Sequence, residues 1–191
     1  YNTGKQSLAV DLKSERGTEI VWTLLEEVDV VIENMRRGVI DKLGFSWEAV
    51  SERQTEVIYC SVSGYGRTGP YSEWPAYDPV IQGVGGWTHH IGNDATPQLT
   101  NIIAIDHATA MYATIGILMA LHERGGSGEG QRIDVSMFDT AISFLGHQFG
   151  EYSAAQASED VDSQYVKNVE PIGVYEADDG YFTLLAPPEY W

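Results

Sequence analysis

The chain of 191 residues carries 28 acidic against 11 basic side chains, a formal charge of −17, with lysine only at positions 5, 13, 42 and 167. A field of that sign repels nucleic acid and anionic lipid surfaces, so neither is an expected partner. The 43% hydrophobic content suffices for one good core, no apolar run reaches membrane-spanning length without a polar interruption, and the single Cys60 leaves no internal disulfide, which suits a reducing cytoplasm. An acidic, lysine-poor surface is also what a high-salt habitat favours, because salt screens its self-repulsion.

In chain order, SLAVDL (7–12) alternates apolar residues and reads as a strand, and SERGTEIVWTLLEEV (14–28) as an amphipathic helix. Ile20, Leu24 and Val28 lie at i, i+4, i+8 and predict its core-facing stripe. DVVIEN (29–34) is a second strand ending at Asn34. GVIDKLGFSWEAVSER (38–53) supplies short helices, with Gly44 as a stop and Ser46 as a cap. EVIYCSVS (56–63) is a third strand that buries Cys60 as a small core hydrophobe. That rhythm predicts an α/β fold, a Rossmann-like parallel sheet with helical crossovers. Ligands in such folds bind beyond the carboxyl ends of the strands, here Glu33-Asn34 and Ser63-Gly64.

GYGRTGPYSEWPAYDP (64–79) is a glycine-proline-aromatic loop, with Asp78 expected to cap the helix after it. No lysine-serine or lysine-threonine pair completes a phosphate loop, and no G-x-x-G completes a dinucleotide fingerprint. GVGGWTHHIGNDATPQ (83–98) reads as a second loop. Its adjacent His89 and His90 lack metal-ligand spacing and are expected to be surface histidines.

The stretch from Ile103 to Leu145 organises the rest. Asp106 stands beside His107 at the head of a helix that is uncharged from Ala108 to Leu121, so the helix should be buried nearly all round. Ala108, Ala110, Ala113 and Gly116 would let another backbone approach closely. A basic, glycine-rich HERGGSGEGQ ends it, and RIDVSMF runs from a buried strand into a helix at about Met137. On these residues alone Asp106 is either the cap of its helix or a carboxylate placed for chemistry, and both readings stand. Neighbours in a helix point about 100° apart, so His107 is expected to pack or cap rather than share a target with Asp106.

From Gly150 the composition turns polar and acidic, a helix end and then a linker (158–170). PIGVYEADDGYFTLLA predicts a hairpin with Asp-Asp-Gly at its turn, the start of a second, smaller α+β domain (171–191) after a large domain of residues 1–157. The chain starts at YNTGKQSLAV and stops at PPEYW, straight after a strand-like run, so we expect an internal piece of a longer protein.

Six pieces, NTGKQSLAVDLKSERG, DVVIENMRRGVIDKLGF, VIYCSVSGYGRTGPY, AYDPVIQGVGG, the Asp106 helix and SGEGQRIDVSMFDTA, occur in the order seen in one family and span nearly all of residues 2–141. The chain resembles the family III CoA-transferases, a group that includes carnitine CoA-transferases and the related alpha-methylacyl-CoA racemase. The resemblance implies transfer of CoA from an acyl-CoA to a carboxylic acid through an aspartyl-CoA thioester, with no metal or redox cofactor. It places the catalytic aspartate at Asp106, and CoA contacts at Asn34, Met35, Val39, Lys42, Leu43 and Met137. Lys42 offers charge to a phosphate, and Met35 and Leu43 could sandwich the adenine. Arg36 and Arg37, the densest positive spot in the chain, are further phosphate candidates. Tyr77 stands where the racemase branch has a histidine. A phenol with a pKa near 10 shuttles protons poorly at neutral pH but can donate a hydrogen bond, so Tyr77 favours the transferase branch. Pro75 replaces a lysine of the formyl-CoA branch and argues against formate or oxalate. The resemblance further implies an interlocked homodimer in the cytoplasm, and a glycine-rich loop over the aspartate that lies beyond Trp191. An acyl-CoA racemase or epimerase and a non-catalytic CoA-binding module are the alternatives.

Overall fold

The computed structural model describes residues 2–92, 95–157 and 172–185. The chain forms two compact units, residues 1–143 and 144–191, each described by itself.

The first unit is built on three parallel strands in the order β1 (Val30–Glu33), β2 (Ile58–Ser63), β3 (Gln131–Ser136). Val30 lies opposite Ile58, and Ile58 opposite Gln131, which brings Ser63 level with Ser136 at the carboxyl ends. Parallel neighbours need crossovers, and helices supply them. Between β1 and β2 come α2 (Val39–Lys42) and α3 (Trp47–Arg53). Between β2 and β3 come α4 (Asp78–Val84), α5 (Trp87–Ile91) and α6 (Ala104–Ser127). The α/β reading holds. Of the expected local signals, Ser46 caps α3 by accepting a hydrogen bond from Ala49 N at 3.2 Å, and Gly44 adopts the left-handed φ of 87° that ends α2.

The N-terminal segment departs from two expectations. SLAVDL forms no strand: among the described residues β1 pairs only with β2, and residues 7–12 lie exposed apart from Val10 and Leu12, which are half-buried. In α1 (Glu15–Leu25), capped by Ser14, the buried side is Val21, Trp22 and Leu25; of the predicted stripe Leu24 is exposed, Ile20 is half-buried, and Val28 packs on the core from beyond the helix end. The helix is rotated from the predicted stripe so that Trp22 meets Phe45, ring centroids 5.3 Å apart. That pair belongs to a core of Leu25, Ile40, Phe45, Val50, Val57 and Tyr59. The Tyr59 hydroxyl donates to Phe45 O at 2.7 Å, and burial pushes its pKa up to about 12. A second core joins Tyr65, Ile81, Ile105, Met137 and Ala141.

Helix α6 is not buried all round. Of its small residues, Ala108, Ala113 and Ala120 are buried and Gly116 is half-buried, whereas Ala110, expected on the same face, is exposed, as are Met111, Ile115, Leu118 and Met119. Gly116 faces Ile133 of β3 so closely that a Cβ there would sit 3.1 Å from the isoleucine Cγ2. The small-residue stripe is therefore the packing face, and the bulky apolar residues point away from it. The helix runs past Gly125 and Gly126 to Gly128, whose φ of 74° closes it. Its 24 residues make it, among the described residues, a helix long and apolar enough to cross a membrane by length and composition, contrary to the sequence reading. The expected loop after Gly83 also contains a helix, α5, because Gly86, at φ 84°, lets the chain turn and restart. Met137 opens α7 (Met137–Phe144) directly after β3, as predicted.

The second unit holds α8 (Gly146–Ala157) and an antiparallel hairpin of β4 (Ile172–Ala177) and β5 (Gly180–Leu185). The hairpin turns at Asp178-Asp179 as expected, and Tyr175 stacks on Phe182 at 5.7 Å. The polar run from Gly150 lies within α8, which ends at Ala157. The expected linker, 158–170, lies outside the described residues.

Candidate active site

Where the chain leaves β1 and β2, the backbone must turn away from the sheet, and the two departures leave a cavity of about 290 Å³. Asn34 to Arg37 form one wall, Ser63 and Gly64 the floor, and Ser72 to Tyr77 the opposite wall. Asp106, from the first turn of α6, and Met137, the first residue of α7, close it. This is the location that a parallel sheet offers a ligand.

Each wall is held in place locally. Asn34 Nδ2 donates to Val62 O at 2.6 Å, tying β1 to β2 just before the cavity, and Glu33 Oε2 accepts from Met35 N at 2.9 Å. Gly64 lies against Ala76, and Tyr65, Tyr71 and Trp74 pack on one another, with Tyr71 and Trp74 ring centroids 4.4 Å apart. That aromatic knot ends at Tyr77, which is 69% exposed and forms the N-cap of α4. Tyr77 is thus not packed in its loop. It lines the same cavity as Asp106.

Asp106 is not the cap of its helix. Helix α6 starts at Ala104, so Asp106 sits within the first turn. The cap comes from another helix: Asp78 Oδ2 accepts from Ile105 N at 2.7 Å and from Asp106 N at 3.0 Å. Asp78 accordingly does not cap α4 as expected, because its carboxylate is used on α6. Asp106 is open to the cavity, yet the protein atoms around its carboxyl desolvate it and raise its pKa above the ordinary value. The nearby Asp78 adds to the rise, and His107 opposes it. His107 Nδ1 lies 2.8 Å from Ile103 O, a carbonyl one turn back on the same helix.

The remaining predicted residues divide. Asn34, Met35 and Met137 line the cavity with Asp106 and Tyr77. Val39 and Lys42 are exposed on α2, outside the cavity lining, and Leu43 is half-buried against the first core. Met35 packs on that core too, so it and Leu43 share a surface facing the protein interior. Arg37 is engaged with Ser72 and with Glu73 at 3.1 Å. Arg36 also lines the cavity and makes no ion pair among the described residues. His89 and His90 are exposed with ring centroids 5.5 Å apart, and among the described residues no group of three His, Cys, Asp or Glu could hold a metal ion.

The chain matches CoA-transferase family III over residues 1–191. It belongs to the family III CoA-transferases. It is 33% identical over 184 residues to the succinate–glutarate CoA-transferase of Agrobacterium fabrum, covering 96% of this chain and 46% of that protein. It is 34% identical to the acetyl-CoA:oxalate CoA-transferase of Acetobacter aceti, with 96% and 48% covered. Among solved structures, a CAIB/BAIF family protein from Brucella suis superimposes with a TM-score of 0.84 at 36% identity, over 96% of this chain and 49% of that one. The chain thus spans about half the length of the relatives it matches.

Within this family III chain, sequence reasoning missed two residues. Gln82 is 2% exposed and joins Asp78, Thr100 and Ile102, and the double use of Asp78 on α6 was read as a cap on α4. The i, i+4 spacing of Asp78 and Gln82 was the one local signal; their other partners lie about twenty or more residues away along the chain and leave none. The Gly64–Ala76 contact was equally hidden, although both residues lie inside motifs that carry the resemblance.

Proposed function

We propose that this chain carries the nucleophile and part of the CoA site of an enzyme that moves CoA from an acyl-CoA to a free carboxylic acid. The observation that carries the reading is the Asp106 carboxyl, open to a cavity at the carboxyl ends of the strands in a chain of this family. A carboxylate attacks a carbonyl when it is ionised and partly desolvated, and the environment of Asp106 supplies the second condition.

The steps balance without an external proton. An Asp106 carboxylate oxygen bonds to the thioester carbon, the C–S bond breaks, and a mixed anhydride and CoA thiolate result. The thiolate adds to the aspartyl carbonyl, expelling the donor carboxylate and leaving aspartyl-CoA. An acceptor carboxylate then attacks that carbonyl, releasing thiolate again, and the thiolate takes the acceptor acyl group and frees Asp106. Every leaving group is a carboxylate or a thiolate, so little acid–base assistance is needed. Tyr77 can donate its phenolic proton as a hydrogen bond to a carbonyl in transit, and Arg36 supplies positive charge beside the anions. Lys42, Val39 and Leu43, set outside the cavity lining, suit the distant nucleotide end of CoA better than its thioester. The proposal extends to a cytoplasmic homodimer, with the acyl-CoA and carboxylic acid as its small-molecule partners.

The test incubates the full-length protein with a panel of acyl-CoAs, followed by hydroxylamine or borohydride and peptide mass spectrometry. A hydroxamate or reduced residue at Asp106 that depends on acyl-CoA is expected, and it names the usable donors. An unmodified Asp106 with CoA still binding, or deuterium uptake at the alpha carbon of a 2-methylacyl-CoA without transfer, would replace the transferase with a binding module or a racemase.

A further inference from the structure

Asp78 and Gln82 form a buried polar unit behind the cavity rather than in it. Asp78 is 3% exposed and Gln82 is 2% exposed. They are four residues apart on α4, so their side chains lie on one face of the helix and hydrogen-bond each other, Gln82 Nε2 donating to Asp78 Oδ1. The other carboxylate oxygen of Asp78 receives two backbone N–H groups, those of Ile105 and Asp106 itself. Gln82 grips the segment that leads into α6: its Nε2 donates to Thr100 Oγ1 at 3.0 Å and its Oε1 accepts from Thr100 N at 3.0 Å. The pair therefore fixes both the approach to α6 and the backbone of Asp106.

A buried carboxylate is costly to keep unless its oxygens are satisfied and its charge is met. Here the charge is met by the N-terminal amides of α6, the positive end of its dipole. A neutral hydrogen-bonding side chain would serve a purely structural cap. A second carboxylate so near Asp106 has an effect that such a cap would lack: the two like charges disfavour each other.

We infer that Asp78, held by Gln82, is a positioning residue for Asp106: it fixes the backbone that aims the Asp106 carboxyl into the cavity and places a like charge behind it. The inference rests on the reading of Asp106 as the nucleophile. The like charge holds the Asp106 carboxylate as a better nucleophile than an isolated one, since nucleophilicity among oxyanions rises with basicity. The charged and titratable groups facing this centre are Asp78 from α4, His107 from α6, Arg36 and Arg37 beyond β1, and Glu73 and Tyr77 from the opposite wall.

The test compares Asp78→Asn, Asp78→Glu and Gln82→Leu in the full-length protein, with Asp106→Asn alongside. The readouts are thermal midpoint, kcat, KM for acyl-CoA, and the pH at which Asp106 becomes half-labelled by a water-soluble carbodiimide, followed by mass spectrometry. Asp78→Asn is expected to lower kcat at least tenfold with KM changed less than threefold, and to move the Asp106 midpoint to lower pH, because the like charge is gone. Asp78→Glu, which keeps the charge, should recover part of kcat and the original midpoint. Gln82→Leu should lower kcat while leaving the midpoint close to wild type. An Asp78→Asn protein with unchanged kcat and unchanged Asp106 midpoint overturns the inference. So does a loss of kcat that merely follows the thermal midpoint across all variants. Failure of the underlying reading is distinct: Asp106→Asn would then turn over normally, whatever Asp78 does to the labelling midpoint, and the positioning role would fall with it.

Discussion

Gly64 and Ala76 touch so closely that a Cβ added at Gly64 would lie 2.2 Å from the Ala76 methyl. Gly64 is the first residue after β2, and Ala76 immediately precedes Tyr77. The contact therefore ties the floor of the cavity to the wall that carries the tyrosine. Gly64→Ala is expected to push the 65–77 loop away, costing about 1–3 kcal/mol in stability as overpacking does. Activity should fall more than stability explains, by about tenfold or more, because Tyr77 moves with the loop. Thermal melts and kcat on the same preparation check both parts. A variant as active as wild type would mean that the loop yields without disturbing the site.

Arg36 and Arg37 read alike in the sequence and differ in the structure. Arg37 is held by Ser72 and Glu73, whereas Arg36 lines the cavity without a counter-ion among the described residues. Arg36→Ala should raise the KM for acyl-CoA about fivefold to twentyfold, with a weaker salt dependence of the remaining binding, in line with the loss of one charge-assisted contact. Arg37→Ala should act mainly on loop stability. Steady-state kinetics at two ionic strengths separate the two. Equal effects on KM would place both arginines on the ligand.

The parts of the fold that were legible are those written into local spacing. The strands at Val30 and Ile58, the Ser46 cap, the start of α7 at Met137 and the hairpin turn at Asp178-Asp179 each rest on residues within a few positions of one another. The misreadings share one cause. SLAVDL has strand alternation but no pairing neighbour among the described residues, and the α1 stripe was rotated by a tertiary contact between Trp22 and Phe45. Helix α6 was read as buried from its apolar composition, yet its packed side is Ile105, Ala108, Thr109, Ala113 and Ala120, and the bulky Met111, Ile115, Leu118 and Met119 are exposed. At the candidate site, the resemblance pointed to Asp106 and Tyr77, and the structure brings both to one cavity. Asp78 was assigned to the wrong helix, because a cap supplied across 27 residues has no signature in spacing.

Cys60 lies in the middle strand with no exposed surface, and burial, followed by the charges of Glu33 and Asp134, pushes its thiol up to about 11. The thiolate is the reactive form, so native protein at pH 8 should resist iodoacetamide or a chromogenic disulfide. One equivalent should react at once in denaturant. Rapid labelling of the folded protein would show that β2 opens under native conditions.

A net charge of −17 on 191 residues predicts self-repulsion that salt relieves. The thermal midpoint should therefore rise between about 0.05 M and 1 M potassium chloride, by several degrees, with most of the gain below 0.3 M where screening changes fastest. If the protein is adapted to high salt, circular dichroism will show loss of structure on dialysis to low salt. A midpoint that is flat across that range would mean the acidic groups lie too far apart to repel.

The effect of Asp106 on stability has a sign that can be measured. Its pKa is raised in the folded state, first by burial and then by Asp78, so the folded protein disfavours the ionised form relative to the unfolded chain. The group's contribution is fully favourable below the unfolded pKa, near 4 for an aspartate, and is lost as the pH rises through the higher folded value. At pH 7 the ionised Asp106 is therefore a net cost, and Asp106→Asn should raise the thermal midpoint. At pH values below the ordinary aspartate range the two proteins should converge, because wild-type Asp106 is then protonated and uncharged like asparagine. Melts from pH 3 to pH 8 test this. A midpoint lowered by Asp106→Asn at pH 7 would mean that the α6 dipole outweighs burial and Asp78 at this position, and that the carboxylate is held as a structural charge.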